Sequence, residues 1–264
     1  MILGFLMCIP AFATESAYPR NPYESDVELG YEEVVDYLLS TTPMPNWASD
    51  IDDPNYKTHG WISEQGLDLL RNCVSDGWNF YSNAYASLVK YGSCLPDIDE
   101  NSNGLFVWHF YGPNGYSFDN NPATPTALDK FGEHFTEAIR LYRTNKSDAM
   151  VELGRSLHYI QDINEPHHAS NITAVGSRHT IFENYADSIK ERFALPSITL
   201  STLSSFNRMR LDEIADDCAD NARDYILDAE AVTSSLMSSA TAATLRYAQN
   251  STAGVLYKFM MEVG

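Results

Sequence analysis

From Thr58 onward, apolar side chains recur at spacings of three and four, the period that lines up one face of an α-helix. Ile62, Leu67, Leu69 and Leu70 lead a first segment, and Trp78 to Tyr91 forms a second, rich in aromatics. Leu128, Phe131, Phe135, Ile139 and Tyr142 mark the buried stripe of a third. Ser147 then reads as the N-cap of a fourth, with Met150, Leu153, Leu157 and Ile160 on its inner face. Stretches 178–193, 206–227 and 229–261 continue the theme. The last is low in complexity from Ser234 to Thr244, yet rich enough in Ala to stay helical. The pattern predicts an all-α chain. One segment breaks it: Gly92 to Thr124 is rich in Gly, Asn, Pro and Asp and too long for a mere connector, as functional loops commonly are.

The first 46 residues differ. Residues 1–13 form a short apolar stretch closing on Ala11-Phe12-Ala13, which reads as a signal peptide with its cleavage site, although no basic residue precedes it. Residues 14–46 hold seven acidic side chains, one basic (Arg20) and four prolines, and read as a loose pro-peptide in which Tyr31 to Leu39 has short-helix character. The expected organisation is therefore a secreted protein with a single folded domain over residues 47–264. No run approaches the ~20 apolar residues that span a bilayer. Cleavage removes Cys8; Cys73, Cys94 and Cys218 remain, enough for at most one internal disulfide, and no Cys-x-x-Cys pair suggests a thiolate zinc site.

Charge narrows the functions. The chain has 264 residues and a formal net charge of −19, which disfavours partners held by Lys and Arg on phosphate, nucleic acid above all. Anionic ligands still bind where a metal supplies the positive charge. Nucleotide-binding and nucleophile-elbow motifs are absent. The histidines are concentrated instead: His158, His167, His168 and His179 fall within 22 residues. His158 and Asp162 stand four apart on one predicted helix, and His179 and Glu183 repeat that spacing on the next, so each pair projects from one face. A single such pair is usually a surface hydrogen bond. Two pairs, joined by the Glu165-Pro166 break with His168 just beyond, point to His/carboxylate metal chemistry. Adjacent helical residues diverge, so only one of His167 and His168 is expected to face the cluster. His134, beside Glu133 on an amphipathic helix, reads as a solvated face residue.

The stretch His158-Tyr-Ile-Gln-Asp162-Ile-Asn-Glu-Pro166-His-His168-Ala-Ser-Asn171 resembles the signature of the secreted zinc-dependent bacterial phospholipases C, the group that includes the clostridial alpha toxins. His179 with Phe182-Glu183 is similar to that family's next ligand pair, and His59 in Thr-His-Gly-Trp-Ile to its early His. Pro96-Asp97-Ile-Asp99 and His109-Phe-Tyr-Gly-Pro113 resemble its active-site loop. The resemblance implies an all-helical domain of the type shared with single-strand nucleases, around a cleft holding up to three zinc ions. It places Asp97, His109, His158 and Asp162 on one zinc, and His168, His179 and Glu183 on a second. Trp47, through its freed amino group and carbonyl, would hold the third with His59 and a bridging Asp162. It further implies a monomer acting on phospholipid at a membrane surface, with water attacking phosphorus and diacylglycerol leaving. Asp97 is the implied general base; Phe106 is implied to line the headgroup pocket, and Asp50 to lie near the headgroup, where it would take part in catalysis by orienting water or would attract a quaternary ammonium. Ile98 departs from choline-preferring members, which carry an aromatic there, and losing one wall of a cation–π cage weakens choline binding by roughly 0.5–2 kcal/mol. Two other readings compete: a zinc-dependent single-strand-preferring nuclease, which shares the His-x-x-x-Asp and Pro-x-His core, and a non-catalytic secreted zinc-binding protein.

Overall fold

In the computed structural model, residues 57–101 and 104–264 are described; the expected signal peptide, pro-peptide, Trp47 and Asp50 lie outside them. Helix α1 covers Thr58–Cys73, α2 Gly77–Phe80, α3 Asn83–Gly92 and α4 Pro96–Asp99, followed by one 3-10 turn at Val107–His109. Then come α5 (Ala127–Tyr142), α6 (Lys146–Ile163), α7 (Pro166–Ala169) and α8 (His179–Ile189). A second 3-10 turn spans Lys190–Phe193 before α9 (Leu200–Arg208), α10 (Leu211–Arg223), α11 (Ile226–Ala229) and α12 (Ser234–Val263). Among the described residues there is no strand, as the hydrophobic period predicts.

Local chemistry sets several helix ends. Thr126 and Asp129 form a capping box at the start of α5, each satisfying a backbone N–H that the helix cannot. The expected cap at Ser147 is displaced by two residues. Asn145 is the N-cap, accepting from the Asp148 backbone N–H, because an Asn side chain three residues ahead closes the same ring that the Ser would. The run read as one helix over 206–227 breaks into α9, α10 and α11. Met209 and Arg210 leave the helical region between α9 and α10, and α10 ends at Asp224. Cys73, Cys94 and Cys218 are all free, so none of the permitted disulfides forms among them.

Helix α6 is the axis of the domain. It packs against α5, α3, α1 and α12, and Met150, Leu153, Leu157 and Ile160 are buried, joined by Phe131, Phe135, Leu256 and Phe259 in one core cluster. Burying each such side chain contributes on the order of 1.5–3 kcal/mol. Helix α12 has little apolar–polar asymmetry because it is enclosed along much of its length. Its buried Thr241 and Thr244 donate to the carbonyls of Met237 and Ala240 at 2.8 and 2.9 Å, so their hydroxyls are not orphaned.

One crossing places the chemistry. A Cβ on Gly92 would sit 2.2 Å from the Val151 carbonyl oxygen, and one on Gly154 would sit 2.2 Å from that of Val89. Only paired glycines let α3 and α6 approach so closely. One turn beyond this contact the face of α6 changes character: Leu157 gives way to His158, Gln161 and Asp162, all buried. Buried polar groups are costly unless partnered.

Candidate metal centre

Helix ends deliver nearly every polar group of the buried site. The start of α1 supplies His59, α4 Asp97, the first 3-10 turn His109, the last turn of α6 His158 and Asp162, α7 His168, and the start of α8 His179 and Glu183. The i,i+4 pairs project together as expected. His158 Nε2 lies 3.2 Å from Asp162 Oδ2, and His179 Nε2 lies 3.1 Å from Glu183 Oε1.

Asp162 is the hub. Its Oδ1 stands 3.3 Å from His59 Nε2 and 3.5 Å from His168 Nδ1, while Oδ2 takes His109 Nδ1 at 2.8 Å. Asp97 Oδ1 is 3.5 Å from His158 Nε2 and 3.7 Å from His109 Nδ1. Three groups result whose donor atoms converge: Asp97, His109 and His158; His59, His158 and Asp162; and Glu165, His168, His179 and Glu183. The structure thus brings together all eight described residues of the expected ligand set. Phe106 packs edge-on against His109, with ring centroids 5.4 Å apart. Its φ of 53° is strained for an aromatic residue, the kind of backbone cost that persists at functional sites. Ile98, beside Asp97, is exposed.

The outer nitrogens of several imidazoles are pinned. His158 Nδ1 meets the Ser93 carbonyl oxygen at 2.9 Å, which places its proton there and turns the Nε2 lone pair inward. His168 Nδ1 likewise lies 2.9 Å from the His109 carbonyl oxygen. His59 Nδ1 is 2.9 Å from Gln161 Oε1, whose amide in turn donates to Ser63 Oγ at 3.0 Å. By contrast, His109 Nε2 and His179 Nδ1 are buried without a hydrogen-bond partner.

The electrostatics bear on what these groups can hold. Burial alone would push His168 down, but Asp162, Glu183 and Glu165 raise it to about 10. His59 is raised by Asp162 and Asp97 against the same desolvation. Burial would raise Asp162, yet the surrounding imidazoles hold it well below the usual carboxylate range, and Glu183 is lowered in the same way by His179 and His168. His158 moves the other way, pushed down by burial and by His59. The carboxylates demand positive charge at the centre of the cluster. A borderline-soft divalent ion fits that demand and the imidazole/carboxylate donor set.

One expectation from the sequence fails here. His134 is buried rather than solvated: Nδ1 bonds Glu152 Oε2 at 2.7 Å and Nε2 bonds Glu100 Oε2 at 3.1 Å. The signal was the carboxylates on neighbouring elements, which spacing within one helix does not reveal. Of the adjacent pair, His168 faces the cluster, but His167 is equally enclosed and bridges Glu165 Oε1 at 2.8 Å and Glu230 Oε1 at 2.7 Å. In the sequence Glu165 marks only a helix break. Its Oε2 accepts the backbone N–H groups of His167 and His168 at 2.7 and 2.8 Å while also facing His179 Nε2 at 3.7 Å.

Fold and site together define a helical protein organised around buried His/carboxylate groups able to hold metal. Residues 58–240 match the model of the family described as zinc-dependent phospholipase C, and the chain belongs to that family. It is 31% identical over 235 residues to a phospholipase C of Paraclostridium bifermentans, covering 78% of this chain and 59% of that protein. Identity to a phospholipase C of Clostridium perfringens is 27%, covering 85% and 63%. The chain therefore spans about three-fifths of the length of these curated relatives. The alpha toxin of Clostridium absonum shares the fold, with a TM-score of 0.69 and 22% identity, covering 85% of this chain and 66% of that one. No described helix is long and apolar enough to cross a membrane.

Proposed function

We propose that this chain is a zinc-dependent phospholipase C that cleaves the glycerol–phosphate bond of phospholipids, giving diacylglycerol and a phosphorylated headgroup. The observation that carries it is the Asp162 carboxylate, buried at the meeting point of His59, His109, His158 and His168 in a member of this family. Up to three zinc ions are held: by Asp97, His109, His158 and Asp162; by His168, His179 and Glu183; and by Trp47, His59 and Asp162. Bound zinc lowers the pKa of water and neutralises phosphate oxygens.

The chain's own residues then divide the work. Asp97 is less enclosed than Asp162, at 12% side-chain exposure against 1%, so it can reach the attacking water and accept its proton. His158 and His168, pinned by carbonyl oxygens, hold their inward nitrogens in fixed directions without reorganising during the reaction. Phe106 lines the headgroup side, Asp50 orients water or attracts a cationic headgroup, and Ile98 leaves that pocket without a second aromatic wall. The protein is secreted, processed near Ala13 and again before Trp47, and acts as a monomer on membrane-surface lipid, with residues 47–264 as the catalytic domain.

Secreted, zinc-loaded protein presented in parallel with phosphatidylcholine, phosphatidylethanolamine and phosphatidylinositol vesicles and with single-stranded DNA tests the reading. Phospholipid hydrolysis that a chelator abolishes is expected, with phosphatidylethanolamine or phosphatidylinositol cleaved at least as fast as phosphatidylcholine. Cleavage of DNA alone, or of neither substrate, overturns it. A mature N-terminus at Thr14 instead of Trp47 removes Trp47 from the ligand set.

A further inference from the structure

The group formed by α7 and α8 contains one donor more than the family resemblance supplies. That resemblance names His168, His179 and Glu183. In the structure Glu165 Oε2 joins them, and all four residues are buried. His179 Nε2 lies 3.1 Å from Glu183 Oε1 and 3.7 Å from Glu165 Oε2, and His168 Nε2 lies 3.5 Å from Glu183 Oε1. Donors bound at 2.0–2.2 Å around a tetrahedral zinc stand about 3.3–3.6 Å apart. The measured spacings bracket that edge length, and two carboxylates balance a divalent charge at a site shut off from water.

We infer that Glu165 is a fourth protein ligand of the His168/His179/Glu183 centre, and that this centre is coordinatively closed and the tightest metal site of the chain. The inference rests on the zinc reading above and goes beyond it by dividing the metals. A site filled by four protein donors has a structural role, whereas a catalytic one keeps a position open. Water and phosphate are then left to the groups around Asp97, His109, His158 and His59.

Second contacts hold Glu165 for this task. Its Oε1 is bonded by His167 Nδ1 at 2.8 Å, and the far nitrogen of that ring is bonded to Glu230 Oε1 at 2.7 Å. Glu230 Oε1 also accepts the backbone N–H of Arg178 at 2.8 Å, tying down the residue before His179. The His167 and His179 rings lie parallel, with centroids 4.8 Å apart. Oε1 is taken by His167, and Oε2, which accepts two backbone N–H groups, also faces His179 Nε2 at 3.7 Å, so the carboxylate is held beside the other three donors. Glu165 thus joins α7, α8 and the end of α11 to one point.

The test loads full-length protein, stripped of metal, with one equivalent of cobalt(II) and reads its visible absorption with and without azide. The expected spectrum is the strong one of four-coordinate cobalt, unmoved by azide. In Glu165→Gln, which keeps an oxygen for the two backbone N–H groups, the bands weaken and become azide-sensitive. Zinc then transfers from that centre to a chelator at least ~10-fold faster. An azide-sensitive first equivalent in the unaltered protein, or identical spectra for it and Glu165→Gln, overturns the inference. The azide measurement needs no variant, so a misfolded Glu165→Gln does not spare it. Phospholipid hydrolysis by the fully zinc-loaded unaltered protein is read separately. Hydrolysis with an open first site sinks this inference alone, and a closed first site without hydrolysis sinks the proposed function alone.

Discussion

Helix α6 carries two clusters of histidine and carboxylate, one buried and one half-buried, that differ in kind. Toward its C-terminal end, His158 and Asp162 face three further imidazoles, and among the described residues no Lys or Arg is ion-paired to either. One and two turns earlier, Arg155 and Glu152 belong to a cluster with Glu100, His134, Lys130 and Tyr159. There Arg155 reaches Asp99 Oδ1 at 2.9 Å and bonds Glu100, Lys130 Nζ lies 3.6 Å from Glu100, and Tyr159 donates to Glu100 at 3.0 Å. His134 donates each nitrogen to a different carboxylate, so neither nitrogen converges with another donor. The second cluster supplies its own cations. The first is built of imidazoles and carboxylates and aims its nitrogens at common points. Buried His with Asp or Glu is therefore not enough to define a metal site; the convergence of the donor atoms decides it.

The largest break in this comparison comes from Asp162→Ala. The four imidazoles around it lose their shared counter-charge; one of the three donor groups loses a member and the other two lose a neighbour. Zinc content should fall by at least one ion per chain and phospholipid hydrolysis by at least ~100-fold, since even outer partners of a metal site are worth 10–100-fold. Metal analysis and vesicle hydrolysis read both, with helix content by circular dichroism preserved by the core packed around Leu153, Leu157 and Phe131. Retained zinc and retained turnover would remove Asp162 from the centre.

His134→Gln probes the other cluster and should do the reverse. Glu100 and Glu152 keep Arg155 and Lys130 but lose their bridge, at a cost of about 1–3 kcal/mol in urea unfolding. Zinc content should not change, because no His134 nitrogen converges with the donor groups. A loss of zinc in this variant would show that Glu100 holds α4, and with it Asp97, in place only through His134.

How far the sequence discloses these clusters follows from where their partners sit. Spacing four apart on one helix exposes His158 with Asp162 and His179 with Glu183, because the helix itself fixes that geometry. His59, Asp97 and His109 lie on separate elements with no spacing rule to connect them to the rest, and only the family resemblance drew them in. His134 was misread for the same reason: its carboxylates sit on α4's C-terminal flank and on α6, and a helical period around Phe131 and Phe135 says nothing about either. Glu165 was hidden differently. Before Pro166, a Glu at a helix break is explained by capping alone, and it does cap α7; that one oxygen also faces His179 is a fact of tertiary structure. The helices were legible because burial is periodic. Their junctions were less so, since Met209 and Arg210 interrupt a run whose apolar spacing continues across the break.

The smallest effect distinguishes the clusters by sign. Burial would lower His134, but its bonds to Glu100 and Glu152 raise it from 6.5 to about 9. Burial would raise Glu100, but His134, Tyr159 and Arg155 lower it from 4.5 to about 2. A raised His contributes stability that is complete below pH 6.5 and lost as pH climbs through 9. The depressed carboxylate contributes stability that is complete above pH 4.5 and lost as pH falls through 2. The paired cluster therefore works best between 4.5 and 6.5, and the gap in unfolding free energy between unaltered protein and His134→Gln should shrink by about 1 kcal/mol between pH 6.5 and pH 10 once solvent screening is allowed for. The metal centre runs the other way. A proton on His168, held up to about 10 by Asp162 and Glu183, must leave before a cation can take the nitrogen. Zinc retention against a chelator should therefore rise with pH across the same range in which the His134 contribution fades. Urea midpoints of the two proteins and zinc-release rates, measured over one pH series, give opposite slopes if the clusters differ as described. Parallel slopes would mean that His134 and His168 respond to one shared charge, and the division between a self-paired cluster and a cation-seeking one would fall.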